Sequence, residues 1–208
     1  MKLQVAIDTL TVEQAIKLVE ETEGVVDIIE VGTPLIIQDG MRSVRVLSDI
    51  FTDVLVLADT KIMDAGELEA TIAFDDGADI VTVLGVAYNE TILGVLKAAK
   101  HYGKEVMVDM IGVQDIKTRA IELDEMGVHY ICVHTAFDIQ SKQTSPLEEL
   151  LVVKSAVKQA KTAIAGGINF NNIDDIAHYR PDVIIVGGTI SNASDPKEAA
   201  RQMKERFR

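Results

Sequence analysis

The sequence holds one cysteine, Cys132, four prolines, no tryptophan, and aromatic residues at only 4%. A lone cysteine excludes an intramolecular disulfide and a cysteine-based zinc centre, and it fits a reducing compartment. Its place inside the apolar run "YICVH" makes it a core residue. Basic charge is also scarce: 20 Lys and Arg stand against 33 Asp and Glu, for a formal net charge of −13. With neither a basic face nor tryptophan, nucleic acid is not an expected partner, because backbone binding needs the first and base stacking favours the second. A small anionic ligand held by local groups is still allowed. No apolar run approaches the roughly 20 residues that cross a bilayer. In the opening "MKLQVAIDTL", Asp8 falls where a signal peptide would continue its apolar region. These absences lead us to expect a cytoplasmic protein with no membrane partner.

The 208 residues, 48% of them hydrophobic, suffice for a sizeable core. Eight short apolar segments read as strands: "LQVAID" (3–8), "DIIEVG" (27–32), "DVLVLADTK" (53–61), "DIVTVLG" (79–85), "EVMVDMIG" (105–112), "YICVHTA" (130–136), "TAIAGGI" (162–168) and "VIIVGGTI" (183–190). Helical spacing follows them, as in "TVEQAIKLVEETEG", "YNETILGVLKAAKHYG", "VQDIKTRAIELDEMG" and "PKEAARQMKERF". Thr11 with Gln14 forms a candidate capping box, and Gly24, Gly103 and Gly127 sit where helices should stop. Strict alternation of strand and helix implies a parallel sheet covered by helices. Eight units imply a closed (β/α)8 TIM barrel, expected to form a single domain over residues 1–208. Asp8, Glu30, Asp59, Lys61, Asp109 and His134 all fall toward the C-terminal ends of different strands, the face on which such barrels carry their active sites.

Asp59 and Lys61 are two apart on a strand, so their side chains are expected on one side and Thr60 on the other. If that side is the barrel interior, opposite charges must converge there to keep one another ionised, with Asp8 and Glu30 supplying further carboxylates. Asp64 lies beyond the strand, as a helix N-cap or a solvated loop acid. Two carboxylates beside an open position suit Mg²⁺, which keeps several waters or substrate oxygens and can stabilise an enediolate. His134 is a candidate base at its strand end; His101, His129 and His178 read as ordinary packing or surface residues. The pairs Gly166–Gly167 and Gly187–Gly188 end the last two strands, where barrels commonly hold phosphate through backbone N–H groups.

The motif "DTKIMDAG", with Asp8, Glu30, Asp109, His134 and both glycine pairs, resembles the orotidine 5′-monophosphate decarboxylase superfamily across essentially the whole chain. Within it, the sequence is most similar to the 3-hexulose-6-phosphate synthase branch, Mg²⁺-dependent aldolases that join formaldehyde to D-ribulose 5-phosphate. Glu30 stands where orotidine decarboxylases carry a second lysine, and Asp109, Phe137, Ala165 and Gly188 stand where 3-keto-L-gulonate-6-phosphate decarboxylases usually carry Glu, Arg, Thr and Arg. Ribulose-phosphate 3-epimerases pair strand-end histidines, and only one is present here. The resemblance implies that Glu30 and Asp59 bind Mg²⁺ with Asp8 in support. It further implies that Lys61 stabilises the enediolate, His134 moves the C1 proton, Asp109 positions substrate hydroxyls or a water, and the glycine pairs hold the phosphate. It also implies a homodimer in which Asp64 reaches into the neighbouring subunit's site. A fused isomerase domain is not expected after "QMKERFR". The alternatives are the keto-gulonate-phosphate decarboxylase and a non-catalytic sugar-phosphate-binding barrel.

Overall fold

Alternation at period two decides which side chains fill the middle of this molecule. In the computed structural model, which describes residues 1–8, 11–142 and 146–207, eight parallel strands pair in chain order and the last closes on the first. They are β1 (Lys2–Ile7), β2 (Ile28–Val31), β3 (Leu55–Ile62), β4 (Ile80–Leu84), β5 (Glu105–Asp109), β6 (Tyr130–His134), β7 (Lys161–Ala165) and β8 (Val183–Val186). Around them run α1 (Val12–Thr22), α2 (Thr33–Asp39), α3 (Arg42–Ile50), α4 (Gly66–Asp75), α5 (Asn89–Tyr102), α6 (Ile116–Met126), α7 (Leu147–Ala156), α8 (Ile173–His178), α9 (Gly188–Ser191) and α10 (Pro196–Glu205), with a 3₁₀ turn at Phe137–Lys142. The expected (β/α)8 barrel is therefore the fold, with two helices after β2 and two after β8.

One phase of each strand faces inward. Ala6, Ile28, Leu57, Ile80, Met107, Tyr130, Cys132, Ala163, Ala165, Val183 and Ile185 form an apolar cluster inside the barrel. The opposite phase joins the helices in a larger outer cluster that includes Val5, Ile29, Val56, Val81, Val108, Ile131, Ile164 and Ile184. At the N-terminal end the interior is closed by Tyr130, whose hydroxyl donates to Glu105 at 2.9 Å and accepts from Lys161 at 3.2 Å. The Lys161 ammonium also lies 4.6 Å from the Tyr130 ring centroid, within cation–π range. Continuing the inward phase toward the other end, Ile28 leads to Glu30, Leu57 to Asp59, Met107 to Asp109 and Cys132 to His134. The charged residues thus form the top layer of the same stack.

Several boundaries differ from the sequence reading. β8 ends at Val186 rather than running to 190, so Gly188 begins α9, and β5 and β7 stop at Asp109 and Ala165. Apolar composition continues past each strand, but a parallel ladder ends where its neighbour turns away, which composition does not record. The Thr11–Gln14 capping box is present on α1. Gly103 and Gly127 are left-handed C-caps, whereas Gly24 lies one residue past the α1 C-cap, Glu23.

Candidate active site

Strand β3 does not reach its end regularly. Its register with β4 shifts between Ala58 and Ile62, and within that irregularity Lys61 has φ 47°, an uncommon conformation for a residue with a side chain. The expectation that Asp59 and Lys61 share a side holds, but through this bulge rather than through plain alternation. The Lys61 ammonium contacts Asp59 Oδ2 and lies 3.7 Å from Asp109 Oδ2. Thr82 of β4 fastens the bulge: its hydroxyl accepts from the Lys61 amide at 2.9 Å and donates to Asp59 Oδ1 at 2.8 Å. The Thr33 hydroxyl lies 2.7 Å from both Asp59 Oδ2 and the Asp59 carbonyl. Asp59 is therefore buried but well supplied with donors, which offsets the cost of burying its charge.

A second pair stands beside the first. His134 Nδ1 lies 2.8 Å from Asp109 Oδ2, and Asp109 Oδ1 accepts from the Ile111 amide at 2.9 Å. Burial alone would raise the Asp109 pKa, but the His134 hydrogen bond and the charges of His134 and Lys61 outweigh it and hold the carboxyl below its ordinary value. An ionised carboxylate only accepts, so Nδ1 carries the hydrogen and a neutral His134 keeps Nε2 as its basic nitrogen. Burial likewise pulls the Lys61 pKa down, while Asp59 and Asp109 push it up further, so the lysine stays cationic.

Glu30 behaves differently. Burial first, then the charges of Asp59 and Asp8, push its pKa up to about 8, against a hydrogen bond from Gln4 and the charge of Lys61. Asp8 falls just past β1, at the rim, in line with the inward phase of Gln4 and Ala6. A β-carbon on residue 32 would lie 2.2 Å from one of its oxygens and 2.8 Å from the Ile7 carbonyl, and the second, a backbone atom, is what keeps residue 32 a glycine. Its pKa is raised by burial and by Asp59, with Lys61 and His134 opposing. Four carboxylates thus meet one lysine and one histidine.

Mg²⁺ is the cation expected at this site, and the donor set suits it. Of the roughly four lone-pair sites on a carboxylate, Asp59 has committed three, to Thr82, Thr33 and Lys61, and Glu30 one, to Gln4. Among the described residues no three His, Cys, Asp or Glu side chains form a ligand group by themselves. Such a set fits an ion that takes one or two carboxylates and fills the rest of its shell with waters or substrate oxygens.

The two glycine pairs follow β7 and β8. Gly166 and Gly167 have φ of 98° and 69°, and a β-carbon on residue 166 would lie 2.3 Å from the Thr135 carbonyl. The loops are tied together by Thr189, whose hydroxyl donates to the Ile168 carbonyl at 2.8 Å. Asn169 and Asn172 both donate to the Gly167 carbonyl, at 2.9 and 3.0 Å. Asp64 stays outside the cluster: it is exposed, accepts from the Ala65 amide at 2.7 Å, and is not the N-cap of α4, which is Ala65.

A model of the orotidine 5′-phosphate decarboxylase / HUMPS family matches residues 1–203. The chain belongs to this family. The 3-hexulose-6-phosphate synthase of Bacillus subtilis (strain 168) is 47% identical over 205 residues, covering 99% of this chain and 98% of that one. The crystal structure of 3-hexulose-6-phosphate synthase from Salmonella typhimurium is similar with a TM-score of 0.97 at 42% identity, covering 100% of this chain and 98% of that chain. The crystal structure of KGPDC from Streptococcus mutans gives a TM-score of 0.88 at 26% identity, covering 99% of this chain and 96% of that chain. The protein is accordingly an enzyme of this family. Three residues of the site went unread in the sequence: Gln4, Thr33 and Thr82. Thr82 had a signal, as the lone polar residue on the inward phase of an otherwise apolar strand, and Gln4 a weaker one, because Lys2 and Asp8 share its phase, whereas Thr33 lies in a helix and had none.

Proposed function

We propose that this protein is an aldolase that adds formaldehyde to D-ribulose 5-phosphate, giving D-arabino-hex-3-ulose 6-phosphate. The observation that carries the reading is the convergence at one barrel mouth of a lysine held by Asp59, a histidine held by Asp109 and the separate carboxylate of Glu30. Glu30 and Asp59 are the residues we assign to Mg²⁺, with Asp8 adding negative charge at the rim. When bound, Mg²⁺ supplies positive charge that favours an enediolate over the ketone.

His134 Nε2 takes a proton from C1 of ribulose 5-phosphate, and Asp109 stabilises the imidazolium that results. The Lys61 ammonium offsets the charge that develops on the enediolate oxygen. The electron pair left at C1 forms a bond to the formaldehyde carbon, the carbonyl π pair moves to oxygen, and the new alkoxide takes up a proton. The former C2 carbonyl becomes C3 of the hexulose. The glycine loops after β7 and β8 offer backbone N–H groups to the phosphate: the amides of Gly167, Ile168, Gly187 and Gly188 have no backbone acceptor among the described residues. Phe137, Ala165 and Gly188 contribute no cation, which disfavours a substrate bearing a carboxylate besides its phosphate.

The same reading includes a homodimer. Asp64 is exposed outside its own cluster, and Met63, Leu68, Ile72, Tyr88 and Leu93, all exposed, lie on α4, α5 and the loops leading into them. An apolar surface beside an exposed acid suits a second copy receiving Asp64 at its own mouth.

The deciding experiment measures formaldehyde consumption by the purified protein with ribulose 5-phosphate, with Mg²⁺ and then with chelator. Consumption that stops on chelation, and is abolished in Lys61→Ala while Mg²⁺ binding persists, is the expected result. CO₂ release from 3-keto-L-gulonate 6-phosphate without formaldehyde loss would move the protein to the decarboxylase branch. Near-normal turnover in Lys61→Ala would remove the role given to that lysine.

A further inference from the structure

Gln4 is a polar residue at a position built for an apolar one. It is fully buried on β1, in register with Ile28 on one side and Ile185 on the other, both members of the apolar cluster inside the barrel. Its carboxamide nitrogen donates to Glu30 Oε2 at 2.6 Å. Its carbonyl oxygen, Oε1, is the one buried side-chain nitrogen or oxygen without a hydrogen-bond partner among the described residues. A carbonyl removed from water and left unpaired lowers stability, while the amide nitrogen of the same group supplies the one donor that the Glu30 carboxyl receives from the protein among the described residues. What the amide provides in exchange is its hold on Glu30. One carboxylate oxygen is fastened to β1, and the other takes no donor from the protein among the described residues.

We propose that Gln4 is a positioning residue for the cation site: its amide fixes the Glu30 carboxylate in the orientation a divalent cation needs. The inference rests on the reading of Glu30 as a cation ligand. Outer partners of this kind commonly change metal affinity by about 10- to 100-fold when removed. They are distinguished from packing residues by a loss of metal affinity that persists when the space stays filled and the fold intact.

The test is a Mn²⁺ titration of the full chain, followed by the EPR signal of free Mn²⁺, together with thermal melting in the absence of metal. Gln4→Met and Gln4→Leu remove the amide while filling the space, and Glu30→Gln serves as control. We expect Gln4→Met to weaken Mn²⁺ binding about 10- to 100-fold while still melting in a single cooperative transition, since the unpaired carbonyl it removes and the donor it takes from Glu30 act on stability in opposite directions. Parent-like Mn²⁺ binding in both Gln4 variants overturns the proposal. So does the loss of a cooperative melt in both, which would make Gln4 a packing residue. If Glu30→Gln binds Mn²⁺ as the parent does, the reading of Glu30 fails and the role of Gln4 with it. If Glu30→Gln loses binding while Gln4→Met keeps it, the proposal about Gln4 alone fails.

Discussion

Glu30 sets function against stability within a single side chain. Its pKa in the folded protein is pushed up to about 8, so between the ordinary value near 4.5 and 8 the unfolded chain releases a proton that the folded one keeps. The folded state therefore binds more protons across that window, and stability falls as pH rises through it, levelling off above about 8. The loss is on the order of a few kcal/mol, since each unit of pKa shift corresponds to about 1.4 kcal/mol. Glu30→Gln stays neutral, so in chelator its denaturation midpoint should exceed the parent's by a margin that grows from pH 5 to pH 8. Parallel pH profiles for the two proteins would contradict this. The position of Glu30 was legible in the sequence because it extends the inward phase of β2, and the same holds for Asp59, Asp109 and His134. The bond between Asp109 and His134 was not legible. It depends on the register of β5 with β6, where Asp109 stands opposite Cys132, and on rotamers that no one-dimensional pattern encodes.

At the scale of the element, Asp124 shows how a buried acid can be wholly structural. Near the end of α6, it accepts the backbone amides of Lys158, Gln159 and Ala160 at 2.9, 2.9 and 2.7 Å. It thereby pins the turn between α7 and β7. Burial pushes its pKa up, but these three bonds more than offset that and leave it lowered. Its contribution is therefore present above the ordinary value near 3.8 and is lost as pH falls through the lower folded value. Asp124→Ala leaves three amides without their acceptor and should cost about 3 kcal/mol at neutral pH. Denaturant unfolding would measure that cost, and a change below about 0.5 kcal/mol, the range of a surface substitution, would contradict it. Nothing in "ELDEMG" distinguishes Asp124 from half-buried Glu122 and exposed Glu125, because its partners lie more than 30 positions away. The bulge in β3 was equally hidden, since "LADTKI" reads as continuous strand. The order and number of the strands were readable, because each combines an apolar run with a helical pattern after it.

At the scale of the whole molecule, the proposed dimer makes the α4–α5 face the surface to perturb. Leu68 and Ile72, 64% and 47% exposed, are four apart on α4 and so share one side of it. Placing a charge there, as in Ile72→Glu, opposes burial against a second copy. Sedimentation velocity should show the parent as a dimer and this variant shifted toward monomer, with activity falling on dilution. A monomeric parent that is fully active would rule out shared sites. The face was visible in the sequence only as apolar residues scattered through the stretches that form α4 and α5, and it takes the fold to bring them onto neighbouring elements.

The apolar cluster inside the barrel and the one between sheet and helices belong to opposite phases of the same strands, and the charged layer touches only the first. Persistence of the scaffold and change of chemistry can therefore be selected separately: the strand tips can be refitted one at a time while the wall that carries most of the burial stays as it was.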